Sequence, residues 1–315
     1  MTSTVAGQAV DEASLRALFA QVSNWGRWGS EDQRGTLNLI GGKEALAGLA
    51  AAEAGVAISC GREVRTAAPS PAVEAATWSA VLAGDVCPTS GYGQTRDRIT
   101  VAPHGPLQTH MDALCHVLLD GVMYNGKLAN AVKSTGATVN DIGILAGGVV
   151  TRGVLLDIPR VLGVDHLTLD RPVLNKDLLA AERRAGVEVR PGDAVLVRVG
   201  RDARRSAEGP ECERIDGRTA LPGMAAECLR WLRERDVGLL VSDAGHDLIP
   251  SDAGFAAPIH IGALVFLGLP LIDNAALDDL ADACAELRRW TFTWTVSPLR
   301  IQGGTGSLVN PIAVL

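Results

Sequence analysis

The sequence predicts an α/β fold, and three observations carry that prediction. From Gly147 onward, short β-branched apolar runs alternate with segments of helical period, the pattern of strands laid against covering helices. Hydrophobic residues make up 47% of the 315 positions, enough for a sizeable core, and 35 glycines supply many tight turns. Polar residues also gather where apolar strands end. Ser242 to Asp252 follow the run closing at Val241, and Asp273-Asn274 follow Leu269 to Ile272. In an open α/β sheet those ends border the binding crevice. No repeat, low-complexity tract or linker divides the chain, so residues 1–315 are read as one domain.

Taken in order, Asp11 to Val22 reads as an amphipathic helix with Leu15, Leu18, Phe19 and Val22 at helical spacing. A glycine-punctuated loop, Asn24 to Asn38, then carries Trp25 and Trp28. These two rings either line a pocket for a flat substrate or plug the end of the core. Gly42 to Ala54 is expected to be a helix and Val56 to Val64 a strand. Residues 65–97, rich in Ala, Pro, Ser, Thr and Gly, read as a long surface loop of the kind that borders sites. Asp97 to Ala102 is strand-like. Asp120 to Gly126 is turn-rich and bears Tyr124, which either touches substrate or packs its ring in the turn.

The second half supplies strands at Val149 to Ile158, Asp193 to Val199, Val237 to Val241, Leu269 to Ile272, Trp290 to Val296 and Ile312 to Leu315. Helices are expected at Asn175 to Ala185, Gly223 to Asp236, Pro258 to Gly268 and Ala276 to Arg288. Gly303 to Pro311 reads as a glycine-rich loop.

Composition excludes several functions. The formal net charge is -7 and the densest basic run, Arg201 to Arg205, is short. Nucleic-acid binding needs many cations to displace counterions, so it is not expected. No apolar run approaches the roughly 20 residues that span a bilayer. Met1 to Val10 lacks a charged start followed by a hydrophobic core, so no secretion signal is expected. Cys60, Cys87, Cys115, Cys212, Cys228 and Cys284 are scattered without a Cys-x-x-Cys pair, which suits reduced thiols and a cytoplasmic location. No Gly-x-Gly-x-x-Gly follows a strand and no P-loop is present, so no nucleotide site is expected.

The chemistry concentrates in His104-Gly-Pro-Leu-Gln-Thr-His110-Met-Asp112-Ala-Leu-Cys-His116, which holds three of the six histidines. The three histidines and Asp112 all fall on even positions, so an extended backbone would turn them to one face. Three imidazoles and a carboxylate on one side form a candidate metal site. The plainer reading is a hydrogen-bonded His110–Asp112 pair with His116 in the core. Cys115, on an odd position, is read as core. Pro103 and Pro106 cannot donate ladder bonds, which places the stretch at a sheet edge or strand end.

Thr109-His-Met-Asp-Ala-Leu-Cys-His116 resembles the Thr-His-x-Asp-Ala-x-x-His signature of the cyclase family, which includes bacterial kynurenine formamidases and isatin hydrolase. Asn24-Trp-Gly-Arg-Trp-Gly with Gly35-Thr-Leu-Asn38, Tyr124-Asn-Gly126, Pro258-Ile-His260, Asp273-Asn274 and the Gly-Gly-Thr-Gly-Ser ending are similar to one poorly characterised branch. The resemblance implies a swivelling β/β/α domain, a homo-oligomer (dimer or tetramer) and a divalent metal, zinc or manganese. It makes His110 and Asp112 metal ligands and His116 the catalytic acid/base, and brings His260 and Asp273 to the later positions of the site. Where a formamidase has a further ligand four residues before the His-x-Asp, this chain has Pro106, and its nearest imidazole is His104. The later acidic ligand is Asp273 in place of glutamate. Few sure ligands favour one ion per site, with two as the alternative. Trp25, Trp28, Tyr124 and His246 are the candidate contacts to a small-molecule substrate. The expected reaction is metal-assisted hydrolysis of an amide, lactam or lactone; the alternative is ring closure of the polyketide-cyclase type without net hydrolysis.

Overall fold

In the computed structural model of the chain, residues 10–67, 74–81, 94–215, 218–251 and 253–315 are described. A nine-stranded sheet forms the centre. Its strands are β1 (Ala57–Ser59), β2 (His110–Asp112), β3 (Val149–Asp157), β4 (Ala194–Arg198), β5 (Leu239–Ser242), β6 (Leu271–Asp273), β7 (Thr291–Val296), β8 (Gly306–Leu308) and β9 (Ile312–Val314). Across the sheet the order is β1-β9-β7-β3-β4-β5-β6-β2-β8. The four middle strands, β3 to β6, run parallel, while β7, β9 and β1 on one flank and β2 and β8 on the other pair antiparallel. This is the mixed α/β architecture the alternation predicts.

The parallel strands are apolar almost throughout because both their faces are covered. Val154, Leu156, Val195, Val197, Leu240 and Leu271 point into one core. It is shared with α1 (Glu12–Val22), α4 (Asn175–Ala185), α6 (Cys228–Glu234) and the helix that begins at α7 (Pro258–His260) and continues as a π-helix through Ile261–Leu267. Leu155, Leu196, Leu239, Val241 and Ile272 point the other way. They meet Phe292, Trp294 and α8 (Asp278–Leu287). Each fully buried Val or Leu contributes about 1.5–3 kcal/mol, so the alternation decides which side of every strand faces which core. α1 begins where Asp11 accepts the Ser14 N–H at 2.8 Å, an N-cap that fixes its start.

Several boundaries differ from the sequence expectations, each for a physical reason. α2 (Gly42–Leu49) stops five residues short of Ala54, because the amides of Ala54 and Gly55 donate to the Leu315 carbonyl and Gly55 takes a left-handed φ of 70°. The strand expected over 56–64 is confined to β1, since the Cys60 amide and carbonyl turn to Pro311 and Ala276. The helix expected from Gly223 starts only at Cys228. The Met224 amide donates to His246 and the Ala225 amide to Val173, so long-range bridges override local propensity.

The 65–97 stretch is not wholly loop, because Thr77–Val81 pairs with Arg96–Thr100 as a separate ribbon; its residues 68–73 and 82–93 lie outside the described chain. Gly303 to Pro311 includes β8, which gives β2 a neighbour on each side. The histidine stretch is therefore interior to the sheet, and Pro103 and Pro106 precede the strand without removing a ladder bond. Two short helices that the pattern did not signal, α3 (Ile158–Leu162) and α5 (Arg201–Glu208), lead from the ends of β3 and β4. Among the described residues no helix is long and apolar enough to cross a membrane.

Candidate metal centre

Sheet register assembles the first part of the site. Asp273 on β6 lies opposite His110 on β2, and Gly306 on β8 lies opposite Asp112. Directly opposed residues of an antiparallel pair share a face. His110, Asp112 and Asp273 thus project together, while Met111 and Ile272 point into the core behind them. The period-two reading holds for the strand itself, and the other two imidazoles arrive by turns. His104 folds back through residues 104–108, and His116 follows a turn closed by its amide on the Ala113 carbonyl at 2.9 Å.

The Asp112 carboxylate, only 1% exposed, is the hub. His104 Nδ1 lies 2.8 Å from its Oδ1, His110 Nε2 3.5 Å and His116 Nε2 4.0 Å. On the other oxygen, His260 Nε2 is 3.7 Å away. His260 Nε2 also stands 3.4 Å from Asp273 Oδ2, and His246 Nε2 is 3.0 Å from Asp273 Oδ1. The rings of His104 and His116 are stacked, with centroids 3.7 Å apart and planes 5° from parallel.

Hydrogen bonding tests whether these groups suit a cation. Both oxygens of Asp112, Nδ1 of His104, Oδ1 of Asp273 and both ring nitrogens of His246 are buried without an aligned hydrogen-bond partner. Orphaned buried polar atoms are costly, and so many converging on one place is what a metal site requires. The imidazoles are turned for the same purpose. His110 Nδ1 sits 2.9 Å from the Gln108 carbonyl and His260 Nδ1 2.5 Å from Asp247 Oδ2, arrangements that turn each Nε2 inward. Among the described residues two groups satisfy the distance requirement for holding an ion: His104, His110 and Asp112; and Asp112, His260 and Asp273. They share Asp112. Nitrogen and oxygen donors without thiolate suit a borderline or hard divalent ion.

The electrostatics differ around the cluster. Burial opposes ionisation of Asp112, but His104, His116 and His110 outweigh it and hold the carboxyl below its usual range. Asp273 is held well below its usual range against the same burial penalty, by His260 and His246. Burial also opposes the His260 imidazolium, yet Asp273 and Asp247 raise its pKa well above the ordinary 6.5. His116 goes the other way: burial and the neighbouring imidazoles push it down to about 4 despite Asp112. Cys115, buried with its thiol pushed up to about 12 chiefly by burial, is core as expected.

Of the ten sequence candidates, six converge: His104, His110, Asp112, His116, His260 and Asp273. His246 joins them against Asp273 and is itself 1% exposed, so it belongs to the polar cluster and not to an open crevice wall. Tyr124 is fully buried, its hydroxyl donates to Asp32 Oδ2 at 2.9 Å and its ring packs on Gly268, which leaves no surface for a substrate. Trp25 stacks on Phe266 at 5.5 Å and donates Nε1 to the Val265 carbonyl at 2.6 Å, against the π-helix that continues from α7. Trp28 lies under the Arg27 guanidinium. Among the described residues no hydrogen bond, ion pair or ring contact joins either tryptophan to the cluster.

Sequence reasoning passed over Asp247, which accepts from the amides of Ile259 and His260 as well as from the His260 ring. It also passed over the support beneath the histidine loop. Asn274 Nδ2 donates to the carbonyls of Gly105 (2.8 Å) and Gln108 (3.1 Å), and Arg201, buried, donates to Pro106 and to Asn274 Oδ1. The available signal was adjacency: Asp247 follows His246 and Asn274 follows Asp273.

Comparison with known proteins accords with this fold. The sequence profile of the family described as "Putative cyclase" matches residues 43–246. No functionally curated protein matches the chain in sequence. Among solved structures, the crystal structure of "a novel cyclase" is similar with a TM-score of 0.85 and 26% identity, over 93% of this chain and 100% of that one. An isatin hydrolase bound to the product analogue thioisatinate is similar in fold at a TM-score of 0.57 and 15% identity, over 88% and 99% of the two chains. Isatin hydrolase A from Labrenzia aggregata, bound to benzyl benzoate, gives 0.55 and 17% over 86% and 97%. With the profile spanning more than half of its length, this chain belongs to the cyclase family.

Proposed function

We propose that the protein is a metal-dependent hydrolase acting on an amide, lactam or lactone bond of a small molecule, with its 315 residues working as one domain. The observation that carries this reading is the buried, hydrogen-bond-free Asp112 carboxylate ringed by four imidazoles. His104, His110 and Asp112 would hold the divalent ion, zinc or manganese. The second group, Asp112, His260 and Asp273, favours a second reading in which two ions share Asp112. A bound divalent ion supplies a Lewis acid that polarises a carbonyl and lowers the pKa of water from about 15.7 towards 7.

The protein's own groups handle the proton. His116, pushed down to about 4, is neutral at pH 7, so its Nε2 accepts a proton from the attacking water and returns it to the leaving nitrogen or oxygen. Stacking on His104 fixes the plane in which it does so. Asp247 orients His260, whose Nε2 addresses Asp112 and Asp273. His246 borders the same cluster. The scattered thiols, five of them free among the described residues, fit a reduced cytoplasmic setting, and the resemblance supports a homo-oligomer.

Ring closure without net hydrolysis is the alternative, supported by the description of the 26%-identical structure as a cyclase. Isatin, N-formylkynurenine and simple lactones, each incubated with zinc- and manganese-loaded protein, test the choice. Turnover of any one supports hydrolysis; none with either metal removes it.

A further inference from the structure

His104 enters the site from outside strand β2, two positions earlier than the place Pro106 occupies, and something must hold its ring there. Two residues of the Gly303-Gly-Thr-Gly-Ser ending do so. Gly306 is opposite Asp112 on β8, and a Cβ at that position would lie 2.5 Å from His104 Cε1, 2.8 Å from its Nε2 and 2.8 Å from the Met111 carbonyl oxygen. The imidazole and the strand carbonyl together occupy the space that any side chain would claim. This requirement is steric, since Gly306 is not among the positive-φ glycines. Thr305 Oγ1, one residue earlier, lies 3.1 Å from His104 Nε2.

We propose that Thr305 and Gly306 are positioning residues that seat His104 as a metal ligand through Nδ1. The proposal rests on the metal reading given above. In this seat the Thr305 hydroxyl accepts from Nε2, 3.1 Å away, which leaves Nδ1, 2.8 Å from Asp112 Oδ1 and buried without an aligned partner, to take the ion. The backbone that carries the ring is pinned by Asn274 on Gly105 and by Arg201 on Pro106. The same seat sets the ring plane on which His116 stacks. A glycine-rich ending that reads from sequence as a loop is thereby the wall that admits a ligand from an unusual position in the chain.

The test is metal affinity, read by competition between a chelator and the full-length, metal-free chain for Zn²⁺ and Co²⁺, with thermal melts as a check on folding. Thr305→Val should weaken binding by about 10-fold or more, as loss of an orienting hydrogen bond does, and Thr305→Ser should restore it. Gly306→Ala should lose at least as much affinity as His104→Ala, since its Cβ meets both the His104 ring and the Met111 carbonyl. Wild-type affinity in Thr305→Val and Gly306→Ala, with His110→Ala still losing the ion, overturns the seat and leaves the metal reading standing. Wild-type affinity in His104→Ala does the same. A wild-type chain that binds neither ion overturns both. If Gly306→Ala does not fold, the Thr305→Val and Thr305→Ser pair decides.

Discussion

His104, His110 and His116 reach Asp112 from one stretch of thirteen residues, whereas His246, His260 and Asp273 arrive from separate strand ends and a helix start. The two sides are also backed differently. On the first, the outer ring nitrogens of His110 and His104 rest on neutral oxygens, the Gln108 carbonyl and the Thr305 hydroxyl. On the second, the outer nitrogen of His260 rests on a carboxylate, Asp247. A backbone carbonyl can only accept, so it holds an N–H of His110 outward, whereas the Thr305 hydroxyl can donate or accept. A carboxylate makes the imidazole more basic, so that side stores a proton which an arriving cation must displace. On the proposed metal reading, the side backed by Asp247 must give up a proton before an ion binds there.

The largest expected effect comes from the residue the sides share. Asp112→Asn removes a ligand from both groups and should lower metal affinity by more than about 100-fold, beyond the range of orienting partners. Elemental analysis after dialysis checks this, and a variant that retains the wild-type metal content would separate the carboxylate from the site.

Next is His116, the proposed proton-transfer group. His116→Gln should cost about 10²–10⁴-fold in kcat while leaving metal content unchanged. Its pKa predicts the acid behaviour. The folded value, about 4, lies below the ordinary 6.5, so the neutral ring is favoured by the fold. That contribution to stability is complete above pH 6.5 and is lost as pH falls towards 4. Imidazole NMR titration of the metal-free protein, assigned with the variant, should give a midpoint near 4; a midpoint near 6.5 would contradict the burial argument.

A smaller effect distinguishes the two sides directly. His260 has a raised pKa, so the stability from its pairing with Asp273 and Asp247 is full below pH 6.5 and is lost as pH rises through the folded value. At pH 7 the ring is protonated, and binding an ion on that side should release about one proton. Calorimetry in buffers of different ionisation enthalpy measures the release. His260→Gln should abolish it, and proton release unchanged by that substitution would show that only the His104–His110 side binds.

The smallest effect is expected from Tyr124→Phe. Loss of the hydroxyl bond to Asp32 should cost about 0.5–1.5 kcal/mol of stability, with KM unchanged. A raised KM would return Tyr124 to the substrate.

The same contrast explains what was legible in the sequence. The parallel strands show because burial on both faces makes them continuous apolar runs, as in Ala194–Arg198. The first side of the site shows because period-two spacing and a short signature lie within a single stretch. The second side was visible as polar residues at strand ends and through the resemblance that brought His260 and Asp273 to the site, but its pairing of His246 with Asp273 depends on which strands are neighbours. Trp25 and Tyr124 stood out by chemistry, yet packing claims both, one on Phe266 and one on Gly268. Gly306 carries no chemistry at all. Its importance follows from the sheet register that puts it beside His104, which no local pattern reveals.

The central claim is that Asp112 holds a divalent ion between these two sides. It is tested most directly by the metal stoichiometry of the wild-type chain purified without chelator and then titrated with zinc and manganese. At least one tightly bound ion per chain, lost in Asp112→Asn, is the predicted result, and two would assign an ion to each side. Substoichiometric metal after titration with both ions would contradict it.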